Sequence, residues 1–300
     1  MTSINLPPPG AHGGDGPAIA AALGLDPQSV LDLSQNLNPF PPQFDELVSR
    51  HIDAIGHYPD ARRAEHMLAE VMGVDAERLI LTNGGSEAIH IVATEIGGTV
   101  AREPEFGLHP RGVRGRAPIW RSNPHSPTGM LAGPRSRADV WDEAFFALAT
   151  GVWSAGRPDM IVGSLTKTFA CPGLRLGYVI APEGFDPARL RQHQPHWSVS
   201  TLALAVLPDL LEHADLPGLA MQIAILRGEL RRLFVDHGLT VRAGDAPWVL
   251  VSGTDLRTEL APYGIVVRDC TSFGMPGVFR VAVPNPEGLS RLAYALDQVG

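Results

Sequence analysis

The stretch Gly163-Ser164-Leu165-Thr166-Lys167-Thr168-Phe169 follows an apolar run over residues 159–162 that predicts a buried strand. It sets a lysine between small hydroxyl residues, and Arg175 follows a short way along the chain. A lysine amine can form a Schiff base with a phosphorylated aldehyde, while Ser164 and Arg175 can offer a hydroxyl and a guanidinium to its phosphate. Taken alone, the same lysine could be an ordinary surface residue on a loop.

Strands and helices alternate on both sides of this stretch. Predicted strands cover residues 78–82, 117–120, 140–141, 159–162 and 176–180, and predicted helices cover 60–72 and a segment that begins at Gly84. After residue 186 the pattern changes to helices over 202–212 and 216–237, strands over 248–251, 265–267 and 279–283, and a last helix near Glu287. This order predicts an α/β fold with a mostly parallel central sheet, followed by a smaller α+β domain.

We expect three regions along the chain. Residues 1–40 form an N-terminal arm that joins the small domain and holds a short helix (17–23) and a strand (30–33). Residues 41–188 form the large domain, and residues 189–300 form the C-terminal small domain.

Composition and charge narrow the class of protein. Hydrophobic residues make up 44% and charged residues 19%, as in globular proteins, and the net charge of -8 provides no general surface for nucleic acid or for an anionic membrane. The chain begins without the pattern of a signal peptide, and its 2 cysteines, Cys171 and Cys270, fit a reducing cytoplasm. His193 and His196 lack further ligands at metal-binding spacing, so we expect no metal site.

Three other segments can complete a cofactor site around Lys167. Asp142 ends a predicted strand, where a carboxylate could pair with a pyridine nitrogen, although it could instead cap a helix. Asn123 opens a rigid Asn-Pro turn and could donate to a ring hydroxyl, or belong to an ordinary loop. The helix start at Gly84, Gly85 and Ser86 can offer N–H groups to a phosphate, but glycine-rich helix starts are common.

These motifs, in this order, resemble the aspartate-aminotransferase superfamily, the fold-type I pyridoxal-phosphate enzymes. The matching segments are Gly-Gly-Ser-Glu-Ala-Ile from Gly84, Asn-Pro-x-x-Pro-Thr-Gly from Asn123, Asp-Glu-Ala-Phe from Asp142, and Ser-Leu-Thr-Lys from Ser164 with Gly-Leu-Arg-Leu-Gly around Arg175. Within the superfamily the chain is similar to the group of histidinol-phosphate aminotransferases and threonine-phosphate decarboxylases. The resemblance runs from about His12 to the C-terminus.

The resemblance implies roles for individual residues. Lys167 would carry pyridoxal 5'-phosphate as a Schiff base, Asp142 would face its ring nitrogen and Asn123 its hydroxyl oxygen. The residues implied for the phosphate are Gly85, Ser86, Ser164, Arg175 and, reaching over from a partner subunit, Tyr58. Tyr58 therefore implies a homodimer with shared active sites.

Other segments resemble the decarboxylase branch of the cobalamin pathway. They contain His12, in His-Gly-Gly-Asp, and Asn38, in Ser-x-Asn-x-Asn-Pro, and both are implied to bind substrate. Arg280 matches an arginine that grips a substrate carboxylate. Arg268 beside it would give a second cation for a substrate that bears both a carboxylate and a phosphate, or could be a solvated charge at a strand end. Phe145 stands where many aminotransferases have a tyrosine.

The chain departs from the family between Ser86 and Asn123. This interval is shorter than in the family, which predicts that a helix and an edge strand of the large sheet are missing. The loss of an edge strand leaves the central ladder intact. His109 falls where an aromatic residue usually stacks on the cofactor ring, and an imidazole can stack as well.

Three activities remain open from the sequence. The first is decarboxylation of a phosphorylated amino acid, such as O-phosphothreonine, and the second is transamination, with histidinol phosphate as the substrate type. The third is pyridoxal-phosphate binding without turnover, because the shortened segment would leave the site open.

Overall fold

The computed structural model describes residues 6–113, 115 and 117–299. Its strands are β1 (Leu31–Asp32), β2 (Leu79–Asn83), β3 (Thr99–Val100), β4 (Ile119–Ser122), β5 (Val140–Asp142), β6 (Met160–Ser164), β7 (Leu176–Ile180), β8 (Thr240–Ala243), β9 (Trp248–Ser252), β10 (Ile265–Val266), β11 (Arg268–Asp269) and β12 (Val278–Ala282). Its α-helices are α1 (Gly16–Leu23), α2 (Phe44–His51), α3 (Arg62–Met72), α4 (Gly84–Ile96), α5 (Phe146–Thr150), α6 (Leu165–Thr168), α7 (Ala188–Arg191), α8 (Thr201–Glu212), α9 (Leu216–Asp236), α10 (Leu256–Leu260) and α11 (Pro286–Val299).

The larger sheet has the strand order β2-β7-β6-β5-β4-β3 in the described part of the chain. β3 to β6 pair in parallel and β7 is antiparallel to both of its neighbours, so all of these strands except β7 run the same way. Every residue of β5, β6 and β7 is buried, because apolar clusters cover both faces of the sheet. The predicted α/β fold with a mostly parallel central sheet is confirmed.

The strand directions bring the predicted site segments to one edge of this sheet. β2, β4, β5 and β6 all end there, and these ends carry the start of α4, Ser122, Asp142 and Ser164. β7 runs the opposite way, so it begins at the same edge, directly after Arg175. Ligands of open α/β sheets bind outside the carboxyl ends of the strands.

The short interval before Asn123 leaves β3 at the edge of the sheet. β3 has only two residues, and within residues 101–113 no further strand follows. Instead the chain folds back, and the Gly112 N–H donates to the Gly98 carbonyl at 2.9 Å. The large sheet thus ends where the sequence predicts that an edge strand is missing.

The smaller sheet has the order β11-β12-β9-β8 and is antiparallel throughout. α9 and α11 cover it and share its apolar core. β1, from the predicted arm, pairs in parallel with β10 from the C-terminal part, and residues 1–5 of that arm lie outside the described residues. The domain boundaries at residues 40 and 188 stay predictions.

The structure differs from the predicted elements in two informative ways. The strand predicted over 265–267 is divided, because β10 pairs with β1 whereas β11 pairs with β12. β8 is absent from the prediction because its residues are mostly exposed and lack an apolar pattern. Among the described residues, every helix is too short or too polar to cross a lipid bilayer.

The buried carboxylate of Glu65 ties α3 to the large sheet and predicts a stability effect. The Glu65 carboxylate accepts the Leu81 N–H at 3.0 Å and two Arg191 N–H groups at 3.1 Å. Glu65→Ala leaves the buried Leu81 N–H unsatisfied, so we expect the free energy of unfolding to fall by about 2–4 kcal/mol. Urea denaturation measures the loss. Glu183→Ala, at a side chain that is 91% exposed and pairs with Arg78, is the control and should change little; equal effects would contradict the prediction.

Candidate active site

A cavity of about 580 Å³ lies at the carboxyl edge of the large sheet, between this sheet and the small one. Residues from the N-terminal arm, the start of α4, the ends of β5 and β6, α6 and β12 line it. Among the predicted site residues, those on its surface are His12, Gly85, Ser86, Asp142, Ser164, Lys167, Arg175 and Arg280. Those that do not line it are Asn38, Tyr58, His109, Asn123 and Arg268.

One end of the cavity is built to hold an anion. The Arg175 Nη2 group donates to Ser86 Oγ at 3.0 Å, beside the unpaired N–H groups at the start of α4. Gly84 has a φ of 74°, and a Cβ there would lie 2.5 Å from Arg175 Nη2. A side chain at position 84 would therefore displace the arginine from the helix start.

Backbone strain gathers beside this end of the cavity. Arg175 adopts a φ of 58° and Ala170, which follows Lys167, a φ of 52°. A left-handed conformation costs a non-glycine residue about 1–3 kcal/mol and persists only where surrounding contacts enforce it. The loop from α6 to β7 is thus held in one shape that presents Arg175 to the cavity.

Lys167 points into the cavity from α6, directly after β6. Burial, followed by the charges of Arg280 and Arg175, lowers the pKa of its amine from 10.5 to about 8, while Asp142 acts in the opposite direction. At pH 7 roughly a tenth of the amine is therefore uncharged, far more than at its ordinary pKa, and the uncharged state is the one that attacks a carbonyl or accepts a proton.

Asp142 faces the cavity with both carboxylate oxygens already held. Its Oδ1 accepts the Ala144 N–H at 3.1 Å, and its Oδ2 lies 2.9 Å from His109 Nε2. These two hydrogen bonds fix the orientation of the carboxylate. The arrangement presents a fixed negative charge to whatever occupies the middle of the cavity.

The stacking position predicted for His109 is corrected by the structure. The His109 side chain is 0% exposed and lies behind Asp142, whereas Phe106 lines the cavity. The Arg111 guanidinium causes this by donating to the carbonyls of Phe106 at 2.8 Å and of His109 at 2.5 Å, which winds the loop into a tight turn. Phe106 is therefore the aromatic residue placed to contact a ring, and the sequence prediction missed it.

Asn123 lies just beneath the cavity surface. Its amide oxygen accepts the Ala132 N–H at 2.8 Å, and its amide nitrogen donates to Glu143 Oε1 at 2.8 Å. Glu143 is buried and also accepts from Ser154 and from Arg157. The second hydrogen of the Asn123 amide remains available, so its predicted bond to the cofactor stays a prediction.

Arg280 closes the opposite end of the cavity. Burial and the charge of Arg268 lower its pKa to about 9. With its amide oxygen turned towards the guanidinium, Asn36 accepts from Arg280 Nη2 at 2.8 Å and Nε at 2.9 Å, and Ser126 Oγ lies 3.4 Å from Nη1. A buried cation without a carboxylate partner among the described residues is suited to bind an anionic group of a ligand.

Two residues predicted to bind substrate have other contacts. Asn38 donates to the Thr168 carbonyl at 2.9 Å and so holds α6 from behind. Arg268 is buried beneath the N-terminal arm, where its Nη2 donates to the Ala11 carbonyl at 2.5 Å. Its Nε and Nη1 have no partner among the described residues. Arg268 thus supports the arm, and the arm's His12 contacts the cavity.

Tyr58 lies on the protein surface, away from the cavity. Its side chain is 80% exposed and packs against Trp197, with the ring centroids 4.8 Å apart. Tyr58 does not line the cavity that holds Lys167, so its predicted contact with the cofactor phosphate requires a second subunit.

The donor set fits the predicted cofactor. The cradle formed by Gly84, Gly85 and Ser86 would be filled by side chains at the two glycines, since a Cβ on Gly85 would lie 3.3 Å from Ser164 Cβ. An anion cradle, a nucleophilic amine at Lys167 and a fixed carboxylate at Asp142 match the phosphate, aldehyde and ring nitrogen of pyridoxal phosphate.

Sequence comparison identifies relatives over nearly the whole chain. The threonine-phosphate decarboxylase of Salmonella typhimurium is 29% identical over 357 aligned positions, which cover 96% of each protein. The histidinol-phosphate aminotransferase of Natronomonas pharaonis is 24% identical and covers 94% of each. The first alignment is longer than this chain of 300 residues, so that relative has segments the chain lacks.

Solved structures share the fold. A histidinol-phosphate aminotransferase from Sinorhizobium meliloti in complex with pyridoxal-5'-phosphate has a TM-score of 0.79 at 17% identity, covering 95% of this chain and 94% of that one. The L-threonine-O-3-phosphate decarboxylase from Porphyromonas gingivalis has a TM-score of 0.71 at 22% identity, covering 90% and 99%. The sequence model of the family described as aminotransferase class I and II matches residues 116–296. The chain therefore belongs to the class I and II aminotransferase family, as the motifs around Lys167 predict.

Proposed function

We propose that this chain is a pyridoxal-phosphate enzyme that decarboxylates a phosphorylated amino acid. Membership in the family confirms the predicted cofactor and the predicted class of enzyme. The observation that carries the proposal is the charge of the cavity, which has three cationic side chains, Lys167, Arg175 and Arg280, facing one carboxylate, Asp142. Such a site favours a cofactor and a substrate that each bring negative charge.

In this proposal the cofactor's phosphate binds at the start of α4, between Ser86, Ser164 and Arg175. Asp142 holds the ring nitrogen, and Lys167 binds the aldehyde carbon. When bound, the cofactor supplies a conjugated ring that stabilises negative charge on the substrate carbon next to the amine. The uncharged amine of Lys167 can take up a proton near that carbon and return it.

The substrate carboxylate is assigned to Arg280. Asn36 and Ser126 fix the guanidinium from two sides, and Trp248 lies under it at 5.0 Å. His12 of the arm lies at the open side of the cavity and contacts Phe106 with ring centroids 5.8 Å apart. We assign the substrate's phosphate to this side, because backbone and side-chain donors of the arm line it.

Two observations support decarboxylation. The decarboxylase of Salmonella typhimurium aligns with 96% of this chain. Phe145 lines the cavity where a tyrosine hydroxyl is expected in many aminotransferases. Transamination is the alternative, supported by the aminotransferases among the relatives, and cofactor binding without turnover is the third possibility.

A homodimer with shared sites forms part of the proposal. Tyr58, Trp197 and Ile55 are large side chains that are 80%, 63% and 66% exposed, and Tyr58 packs against Trp197 at the surface. Trp197 has a φ of 59°, a strained conformation that a close contact would support. Surfaces of this kind mark interaction sites, and a second copy would cover it and bring Tyr58 to the partner's cofactor.

The reaction is tested with purified protein loaded with pyridoxal phosphate and given O-phosphothreonine. We expect carbon dioxide to be released without a keto acid. Conversion of histidinol phosphate to the corresponding ketone, only when a keto acid is present to accept the amine and become an amino acid, would establish the alternative. No turnover with either substrate, while the cofactor still binds, would contradict both.

The lowered pKa of Lys167 predicts the pH dependence of cofactor capture. The uncharged amine attacks the aldehyde, so the capture rate should rise with pH through about 8 rather than near 10.5. Arg280→Leu removes a cation that lowers this pKa and should move the midpoint to higher pH. Stopped-flow absorbance of the apoenzyme with pyridoxal phosphate measures the rate.

Lys167→Ala should abolish the absorbance of the lysine-bound cofactor. For the pH dependence of cofactor capture, the surface variant Arg189→Leu is the control for a lost positive charge and should leave the midpoint of the capture rate unchanged. Identical spectra for the wild type and Lys167→Ala would overturn the assignment of the cofactor to this lysine.

Tyr58→Phe tests the shared site. Loss of a hydroxyl that bonds a phosphate should weaken cofactor binding about tenfold, and sedimentation should show a dimer. Tyr294→Phe, at another side chain that is 63% exposed, is the control and should bind the cofactor normally. A monomer, or equal affinities for the two variants, would contradict the shared site.

A further inference from the structure

Two short segments of the N-terminal arm form one wall of the cavity. They are residues 12–14 and residues 34–36, and all six residues line the cavity; we call them the arm-side wall. Asp32, at the end of β1, precedes the second segment and does not line the cavity itself. Its backbone is held in register with Val266 of β10. A side chain outside the cavity is thus fixed on a paired strand directly behind this wall.

The Asp32 carboxylate accepts four hydrogen bonds. Its Oδ1 accepts from the Ser34 N–H at 3.0 Å and from the Ser34 hydroxyl at 2.5 Å. Its Oδ2 accepts from the Gly16 N–H at 3.1 Å and from the side-chain amide of Gln35 at 2.8 Å. Gly16 is the first residue of α1, and Asp15 at the N-cap makes no side-chain hydrogen bond to that helix. Asp32 therefore caps α1 from a distant part of the chain.

Ser34 extends this contact to the first segment of the wall. Because its hydroxyl hydrogen points to Asp32, its oxygen is free to accept the Gly14 N–H at 2.8 Å. Gly13 has a φ of 76°, and a Cβ there would lie 2.5 Å from the Ser34 carbonyl oxygen. The first segment thus lies backbone against backbone on residue 34, and one carboxylate holds it at Gly14 and at Gly16.

The four hydrogen bonds require a group with two acceptor atoms. Each Asp32 oxygen faces one backbone N–H, that of Ser34 on Oδ1 and that of Gly16 on Oδ2. Neither N–H can turn away, because both belong to the main chain. An asparagine side chain has one oxygen and one NH₂ group, so in either orientation it would set a donor against one of these N–H groups.

We propose that Asp32 is a positioning residue that fixes the arm-side wall and thereby sets the preference of the site for a phosphorylated substrate. The inference rests on the proposed function, which assigns the substrate's phosphate to this side of the cavity. A phosphate is bound well only by several donors held in place together, and Asp32 holds the segment that carries His12. The cofactor's phosphate has its own donors at the start of α4, with Arg175, so Asp32 acts on the substrate alone.

Substrate affinity tests this role in the protein loaded with pyridoxal phosphate. The absorbance of the bound cofactor is followed while O-phosphothreonine or threonine is added. In Asp32→Asn we expect the affinity for O-phosphothreonine to fall about tenfold, whereas the affinities for threonine and for pyridoxal phosphate stay unchanged. Equal losses for the two amino acids, no loss, or a loss of cofactor affinity would overturn the proposal.

Asp26→Asn is the matched control for this substitution. Asp26 belongs to the same arm and caps a short 3-10 helix by accepting the Gln28 N–H at 3.0 Å, but it does not line the cavity or hold the arm-side wall. Its asparagine variant should bind both amino acids as the wild type does. A tenfold loss for O-phosphothreonine in this control as well would count against a specific role of Asp32.

Hydrogen exchange tests the contacts of Asp32 without any substrate. In NMR spectra of 15N-labelled protein, Asp32→Asn should raise the exchange rates of the Gly14 and Gly16 N–H groups about tenfold. Ser34→Ala removes only the bond to Gly14 and should raise only that rate. The Leu25 N–H, just after the far end of α1, is the internal control, and thermal denaturation checks that each variant folds. Unchanged rates at Gly14 and Gly16 in folded Asp32→Asn would overturn the proposal.

The two proposals fail in different ways. If the wild type binds no pyridoxal phosphate or gives no response to O-phosphothreonine, the proposed function fails, and the exchange rates still decide whether Asp32 holds the arm-side wall. If the wild type decarboxylates O-phosphothreonine and Asp32→Asn binds it equally well, the proposed function stands and the role of Asp32 fails.

Discussion

The start of α4 touches β7 backbone to backbone, and the anion-binding end of the cavity depends on this contact. A Cβ on Gly177 would lie 2.4 Å from the carbonyl carbon of Gly84, so no other residue type at position 177 permits the same approach. β7 is also the strand that runs against its neighbours, which brings Arg175 to the edge where the other strands end. Together these features bring the Arg175 guanidinium into hydrogen-bond contact with Ser86 Oγ at the start of α4, which forms the anion-binding end of the cavity.

The balance of charge in the cavity explains why two separate anions suit it. Arg175 stands at one end and Arg280 at the other, with Lys167 and Asp142 between them. Burial lowers the pKa of both Lys167 and Arg280, because the protein surroundings disfavour their charged forms. With a pKa of about 9, Arg280 is still charged at neutral pH, and an anion bound beside it would offset the cost of burying that charge.

The sequence predicts the parts of the site that follow directly from strand ends. Lys167 and Asp142 lie where buried strands stop, and the parallel arrangement alone brings strand ends to a common edge. The direction of a side chain within a loop has no such signal. His109 turns inward because Arg111 binds the carbonyls around it, and Asn38 turns towards the Thr168 carbonyl, contacts that no spacing of residues reveals. The sequence therefore assigns the contact with the cofactor ring to His109, whereas the residue that lines the cavity is Phe106, three positions earlier.

The short edge strand β3 bears on how this protein meets other proteins. An open edge offers free backbone groups to any extended chain, and long flat edges invite sheets to join end to end. Here the edge strand β3 has only two residues, both buried, and the Gly98 carbonyl just before it is taken by the Gly112 N–H. The Trp120 side chain of the neighbouring strand β4 donates to the Gly97 carbonyl at 2.9 Å and so takes up a second carbonyl next to β3. A shortened edge strand thus offers few backbone groups with which an extended chain could pair.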